Sequence, residues 1–220
     1  MDIKVFLIHK AKFIEFFYKK SIEPFELMKF QIENEEHPYD EDPSYDYESG
    51  EPQFLIEWID AEESIDVIAQ TTISMLSASL HLFLKGWVQR LEAETGYTFN
   101  KSIFKNGWFP GYLQIVNDIG YVVDKPKTDI LEQVALARNR IQHPETLTTN
   151  RVTHSEADVK KYPNPYFSEK SDTDFFFRAA LKISDNKVEN AIKLTTEFCT
   201  ALDIYYFENV PTLREKYKKT

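Results

Sequence analysis

The sequence predicts an all-α protein, a helical bundle with one long central helix and at most a minor short strand. Apolar residues recur every three or four positions over long stretches, which is the period of a helix buried along one face. Glycine is scarce, with 6 in 220 residues, whereas all-β folds need many tight turns. We expect residues 1–220 to form a single domain with its own core.

The N-terminal segment, residues 3–30, mixes phenylalanine with lysine. Its pattern predicts an amphipathic helix to about Lys20, and a short strand over residues 3–8 is the alternative. Helices of this composition also lie on membrane surfaces, but a core-packed helix with a solvated lysine face is commoner and is what we expect. Charged residues interrupt the apolar run and no small-residue cleavage site follows, so no signal peptide is expected.

The acidity of the chain is concentrated in one segment. The formal net charge is -10, and the segment 31–53 holds nine acidic residues without a single Lys or Arg. Its prolines and repelling charges predict an acidic loop, which either solubilises the protein or masks a basic site by mimicking nucleic acid. The remainder is close to neutral, which argues against a protein that coats nucleic acid non-specifically.

Residues 54–94 carry the strongest helical signal and predict the long central helix. The residues of its apolar stripe are Ile65, Ile68, Ala69, Ile73, Leu76, Leu80, Phe83, Leu84, Trp87 and Leu91. Off this stripe lie Val67, Met75, Leu82 and Val88, so we expect the helix to be covered on two sides. His81 could be a ligand or base, but a packed or half-exposed histidine is the expectation. Gly96 should end the helix, and no run approaches 18 apolar residues, so no membrane span is expected.

Shorter helices are predicted in the middle of the chain. Turn signals at Asn106-Gly107 and Pro110-Gly111 precede a helix over about 112–119. The next helix should begin at Thr128 or Asp129, either of which can cap it, and end at about Gln142.

The C-terminal third is predicted to begin with a long polar connection over residues 144–174, with a short helix near 155–161. A short strand near 175–183 is expected next. Ser184 or Asp185 should then cap a last helix to about Phe207, and the tail from Pro211 should fray. The core candidates of that helix are Val188, Ile192, Phe198, Ala201, Leu202 and Tyr205.

The helix that ends near Gln142 carries the most informative residues. Its buried stripe spans an arc of about 60° on an ideal helix and consists of Ile130, Val134, Ala137 and Ile141. Arg138 falls on the shoulder of the stripe, whereas Asn139 and His143, four residues apart, share a face roughly opposite. Pro144 should end the helix at about residue 142 or 143.

These three polar residues suffice in principle to cleave RNA without a metal. Arginine supplies a fixed positive charge and two-point recognition of a phosphate. Histidine can transfer protons near neutral pH, and Asn139 can hold either group in place. The alternative is that Arg138 and His143 serve in binding or packing.

The segment Arg138-Asn139-Arg140-Ile141-Gln142-His143 resembles the Arg-x4–6-His motif of HEPN domains (higher eukaryotes and prokaryotes nucleotide-binding). HEPN domains are helical bundles, and many are metal-independent ribonucleases of toxin–antitoxin and antiphage systems. They work as homodimers in which both motifs line one cleft. One toxin branch has Tyr two residues after the His, where this chain has Glu145.

The resemblance implies a homodimeric endoribonuclease in which Arg138 and His143 are catalytic and Asn139 orients or binds. RNA would be the substrate, and an antitoxin protein a partner. Some HEPN domains have lost catalysis and serve as dimerisation or binding modules. A non-catalytic module that binds RNA or protein is therefore the alternative function.

Neither a cofactor nor a metal site is predicted. His37 near Asp40, and His154 near Glu156, lack a regular ligand spacing, and the chain has no glycine-rich phosphate loop and no nucleophile elbow. The single cysteine, Cys199, excludes an intramolecular disulfide, favours a reducing, cytoplasmic location, and is expected to be a small core residue.

Overall fold

The computed structural model describes residues 2–40, 51–143, 152–168 and 180–218. Within these ranges the protein is all-α, with seven helices and no strand. The helices are α1 Ile3–Glu33, α2 Leu55–Thr95, a 3₁₀ helix Lys101–Asn106, α3 Trp108–Asp118, α4 Lys125–Gln142, α5 Glu156–Lys161 and α6 Asp185–Tyr217. The predicted fold class and long central helix are confirmed.

Helix α2 is the centre of the bundle and packs against α1, α4 and α6. Its predicted stripe is buried from Ala69 to Leu91, with Trp87 fully inside the core, whereas Ile65 and Ile68 are partly buried. Gly96 ends the helix as predicted, because it adopts the left-handed conformation (φ 78°) that glycine tolerates best. Coverage of the off-stripe residues is only partial: Val88 is buried, but Val67 and Leu82 are exposed.

Helices α1 and α4 lie on opposite sides of the packed α2–α6 pair. Helix α4 runs antiparallel to α2, because Leu131 near its start joins the core cluster around Trp87, whereas Val134 and Ala137 join the cluster around Ile73. The C-terminal turns of α4 therefore lie beside the middle of α2.

Two helices extend further than predicted, through internal prolines. Helix α1 continues past Lys20 and Pro24 to Glu33, and α6 continues past Pro211 to Tyr217, so the prediction of a frayed tail is wrong. Both prolines are exposed, so the backbone carbonyl that each leaves unpaired can be hydrated. The turn after Pro211 is fixed by packing, since Leu213 is buried.

Helices α3 and α4 both begin earlier than predicted. Helix α3 starts at Trp108, so Pro110 lies in its first turn, where a missing N–H has no helical partner to lose. Helix α4 starts at Lys125 with Pro126 in its first turn. Thr128 does not cap α4; its hydroxyl donates to main-chain carbonyls one turn back.

The predicted starts of the last two helices are confirmed. Ser155 caps α5 through a reciprocal capping box with Asp158, and α6 begins directly after Ser184. Ala201 is exposed, so its prediction as a core residue is wrong. Of the predicted strand, residues 175–179 lie outside the described ranges, and the described part forms one isolated bridge, from Ala180 to Thr153.

The predicted acidic loop, residues 31–53, lies partly outside the described ranges. Residues 31–33 end α1, and residues 41–50 fall outside the described ranges. The end of α1 and the start of α2 are joined by a hydrogen bond in which the Trp58 indole Nε1 donates to Glu33 Oε1 at 2.8 Å.

Helix α2 is long and apolar enough to span a membrane by length and composition, alone among the helices in the described ranges. Half of its most apolar window is buried inside the bundle. The core helix of a bundle passes the same test, and α2 occupies that position here.

Candidate functional site

Helix α4 carries the predicted site on its last turns. Arg138 lies half-buried on the shoulder of the buried stripe, as the sequence predicts. Its Nη1 donates to Asn139 Oδ1 at 3.2 Å. Among the described residues Arg138 forms no ion pair with a carboxylate. Its guanidinium is hydrogen-bonded to a neutral amide, which does not neutralise the positive charge.

His143 ends α4 and is exposed. Its main-chain N–H donates to Asn139 O at 3.1 Å, but within the described ranges its imidazole has no hydrogen-bond partner. Residues five apart on a helix point about 140° apart. Within one chain, the structure therefore brings the Arg138 and Asn139 side chains together and leaves the His143 side chain on a different face from Arg138.

A second histidine, His81 in the middle of α2, is near enough to Arg138 for the two to interact electrostatically, because α2 and α4 pack antiparallel. Its ring stacks on Trp108 with 4.6 Å between ring centroids and 15° between the planes. Partial burial lowers the pKa of His81, and the positive charges of Lys85 and Arg138 lower it further. A neutral imidazole and a guanidinium thus share one surface of a single chain.

Sequence reasoning predicted a packed or half-exposed His81 correctly but missed its place beside the motif. The only local signal was its spacing of four residues from Lys85, which puts both on one helix face. Nothing in that spacing indicates which helix packs alongside.

The electrostatic contact between His81 and Arg138 makes a direct prediction for NMR titration. We expect the His81 imidazole to titrate below its ordinary pKa of 6.5, and Arg138→Gln to move the midpoint upwards, since it removes a cation that opposes protonation. The other histidine resonances in the same spectra serve as references. A midpoint that Arg138→Gln leaves unchanged would show that the two side chains do not interact.

Arg140, inside the motif segment, has a structural role. Its Nε donates to Oδ2 of the buried Asp158 at 2.8 Å, which ties α4 to the cap of α5. About two turns closer to the start of α4, the buried Glu132 accepts hydrogen bonds from Lys161 and from Tyr162 Oη. These contacts attach residues 155–162 to α4 and fix the orientation of the motif helix.

The other candidate residues of the sequence have ordinary partners. His154 is buried and its Nε2 donates to Phe167 O at 2.9 Å. His37 is on the surface, and its Nδ1 lies 3.0 Å from Asp40 Oδ2. Cys199 is fully buried, and this burial raises the pKa of its thiol. No group of three or more potential metal ligands occurs in the described part of the chain.

A cavity of about 480 Å³, whose wall includes no residue of the motif, lies between the first half of α2 and residues 180–182. Two carboxylates in its wall, Glu62 and Asp66, are paired with Lys29 and Lys182 respectively. Two of the three carboxylates that line this cavity are therefore neutralised, and the third, Glu63, is exposed.

The α2–α4 surface is thus the best candidate site. It combines the guanidinium of Arg138, the amide of Asn139, the ammonium of Lys85 and the stacked rings of His81 and Trp108. Cations of this kind bind phosphate oxygens, and aromatic rings stack on bases. Compared with family models, with curated proteins and with solved structures, the chain matches none.

Proposed function

We propose that the protein is a metal-independent endoribonuclease of HEPN type that acts as a homodimer in toxin or antiphage defence. The resemblance of residues 138–143 to the HEPN motif supports this proposal, as does the all-α bundle in which a long helix precedes the motif helix. An antitoxin protein is the partner that we expect to control it.

The observation that carries the proposal is the uncompensated charge of Arg138. Two other arginines are neutralised within the bundle, Arg90 by Asp203 and Arg140 by Asp158. Among the described residues, Arg138 makes a hydrogen bond to a neutral amide and no ion pair. Its guanidinium is therefore available to an anion, and two of its N–H groups match two oxygens of a phosphate.

In the proposed reaction the 2′-hydroxyl of RNA attacks the adjacent phosphorus. A bond from the 2′-oxygen to phosphorus forms, the bond to the 5′-oxygen breaks, and the products carry a 2′,3′-cyclic phosphate and a 5′-hydroxyl. Arg138 stabilises the charge that builds on the phosphate oxygens, and Asn139 holds the guanidinium. His143 takes the proton from the 2′-hydroxyl or gives one to the 5′-oxygen.

The reaction needs one group that accepts a proton and one that donates a proton. In a homodimer the second group would be the other copy of His143, as the HEPN resemblance implies. The neutral imidazole of His81 is a candidate acceptor on the same chain.

The first test is cleavage of mixed RNA in EDTA by the wild type and by His143→Ala. We expect the wild type to cleave and the variant to lose about 10²–10⁴-fold in rate, the usual contribution of general acid–base catalysis. His37→Ala removes another exposed imidazole and is the matched control. Undiminished cleavage by well-purified His143→Ala would remove His143 from the mechanism.

The second candidate function is a non-catalytic HEPN-like module that binds RNA or protein. The separation of His143 from Arg138 within one chain favours it. In that case no sample cleaves RNA, and the Arg138→Ala/His143→Ala double variant changes the affinity for RNA or for the partner protein.

A further inference from the structure

A further cavity, of about 340 Å³, lies where the end of α1 meets the start of α2. Its volume is within the range of pockets that bind small molecules. Three half-buried aromatic side chains line it, those of Tyr39, Phe54 and Trp58. Two exposed carboxylates, those of Glu33 and Glu35, line it as well. We call this cavity the aromatic pocket, because the combination of rings with carboxylates is what distinguishes it.

The aromatic rings of the pocket are held in defined positions. The Tyr39 ring meets the Phe54 ring edge-on, with 5.2 Å between their centroids and 79° between their planes, so the two rings form a corner. Tyr39 is placed by the turn after α1, where its main-chain N–H donates to Glu36 O at 2.8 Å. The Trp58 indole is fixed by its hydrogen bond to Glu33. The chain therefore forms this arrangement of rings before any ligand binds.

The Trp58 ring already contacts one cation of the chain itself. Lys29 Nζ lies over the ring, 4.4 Å from its centroid, which is the geometry of a cation–π contact. The ammonium of Lys29 is also paired with the Glu62 carboxylate, so its positive charge is largely balanced. Lys29 therefore shows the affinity of this ring for an ammonium group without strongly repelling a second cation from the pocket.

The charge around the aromatic pocket is negative and lacks a partner within the described residues. Glu33 accepts a hydrogen bond from the Trp58 indole, and neither Glu33 nor Glu35 forms an ion pair among those residues. The neighbouring stretches 31–40 and 51–60 contain seven acidic residues and no Lys or Arg. In the cavity beside residues 180–182, by contrast, two lysines neutralise two of the carboxylates. The electrostatics of the aromatic pocket therefore favour a cation that comes from outside.

We propose that the aromatic pocket binds a methylated ammonium group. The rings of Tyr39, Phe54 and Trp58 attract the cation through their faces, and Glu33 and Glu35 add the attraction of opposite charge. A primary ammonium is strongly hydrated and would have to lose that water, whereas a quaternary ammonium presents methyl groups that pack directly on aromatic rings. The group belongs either to a free small molecule or to a methylated lysine side chain, and the chemistry of recognition is the same in both.

This site goes beyond the proposed function. The wall of the aromatic pocket includes no residue of the motif and none of the residues that form the α2–α4 surface. A ligand in the pocket therefore leaves Arg138 and His143 open to RNA and to a second copy of the chain. Binding at the pocket and cleavage of RNA are measured separately, so the failure of either proposal leaves the other standing.

The test is isothermal titration calorimetry of the 220-residue chain with choline chloride, at constant ionic strength. The control ligand is 3,3-dimethylbutan-1-ol, which has the same shape but a carbon in place of the charged nitrogen. We expect choline to bind saturably with a Kd below about 10 mM, and the alcohol to bind at least about tenfold more weakly. Equal binding of the two ligands, or no saturation by choline, overturns the proposal.

A variant of the pocket wall locates the ligand. Tyr39→Leu removes one ring and should weaken choline binding by about three- to thirtyfold. Phe16→Leu removes an exposed ring of α1 that lies outside the pocket, and it should bind choline as the wild type does. Circular dichroism checks that both variants are folded. If Tyr39→Leu binds choline as tightly as the wild type, the ligand does not bind in this pocket and the proposal is wrong.

A charge variant tests the carboxylates. Glu35→Gln should weaken choline binding by about two- to fivefold, as expected for an exposed charge pair, and should leave binding of the alcohol unchanged. Glu36→Gln removes the adjacent exposed carboxylate, which does not line the pocket, and is the matched control. Equal effects of the two variants would contradict the role of Glu35.

The two sources of the methylated ammonium are distinguished by a second ligand. The amide of N-acetyl-trimethyllysine carries the same charged group as choline on a lysine side chain. Tighter binding of this derivative than of choline would assign the pocket to a modified protein chain. Tighter binding of choline would assign it to a free small molecule. If the derivative and choline both bind no better than the neutral alcohol, the proposal is wrong.

Discussion

Replacing Arg138 by alanine is expected to lower the rate of RNA cleavage by about 10²–10³-fold, the usual cost of removing one group that stabilises charge in the transition state. The loss should appear mainly in kcat, since the negative charge on the phosphate oxygens grows as the 2′-oxygen attacks. The fold should survive, because Arg138 is half-buried and its only hydrogen bond among the described residues goes to its neighbour Asn139.

Two further variants make this result specific. Arg138→Lys keeps the charge but cannot bind two oxygens at once, so its rate should fall between those of the wild type and Arg138→Ala. Arg214→Ala removes an exposed arginine that donates to Glu94 O and should leave the rate unchanged. Equal rates for the wild type and Arg138→Ala would exclude Arg138 from catalysis.

The largest effect on stability is expected from the ion pair between Arg90 and Asp203. Asp203 on α6 is completely buried, and its Oδ1 accepts from Arg90 Nη2 at 2.5 Å. The Arg90 guanidinium also lies over the Tyr206 ring, 4.4 Å from its centroid. Arg90→Met leaves the carboxylate buried, with Lys4 Nζ at 3.6 Å as its remaining cation, and should lower the free energy of unfolding by about 3–5 kcal/mol.

Urea denaturation followed by circular dichroism measures this effect. The double variant Arg90→Met/Asp203→Leu should recover most of the lost stability, because it removes the stranded charge along with its partner. Lys85→Met removes an exposed cation from the same helix and is the control. A loss below about 1 kcal/mol for Arg90→Met would mean that the pair behaves like an exposed salt bridge.

The sequence predicts the bundle well where periodicity alone decides. The spacing of Leu76, Leu80, Phe83 and Trp87 predicts α2, because only a helix places them on one face, and the structure buries all four. The sequence also predicts the end of α2 at Gly96, because glycine readily adopts the left-handed backbone conformation that ends a helix.

Helix ends at prolines are predicted less well. The sequence predicts that α1 ends near Lys20 and that the tail from Pro211 frays, but Pro24 and Pro211 both lie within helices. A proline weakens a helix locally, and packing of the turns on either side decides whether the helix continues. That packing, such as the burial of Ile22 and Leu213, comes from other parts of the chain.

The candidate site shows the same division between local and distant information. The pairing of Arg138 with Asn139 follows from their adjacency, and the exposure of His143 follows from the end of α4. The approach of His81 depends on α2 and α4 packing antiparallel, and no local pattern encodes that contact. The exposure of Phe13 and Phe16 on α1 is likewise not predicted by the sequence, because the pattern indicates an amphipathic helix but not which of its apolar residues the fold leaves uncovered.

The central claim, that this protein cleaves RNA without a metal, is tested most directly by the chemistry of the product ends. RNA cleaved by the wild type in EDTA should carry 2′,3′-cyclic phosphate and 5′-hydroxyl ends, and RNA with every 2′-hydroxyl methylated should stay intact. Products with 5′-phosphate ends, or cleavage of the methylated RNA, would contradict attack by the 2′-hydroxyl and the roles proposed for Arg138 and His143.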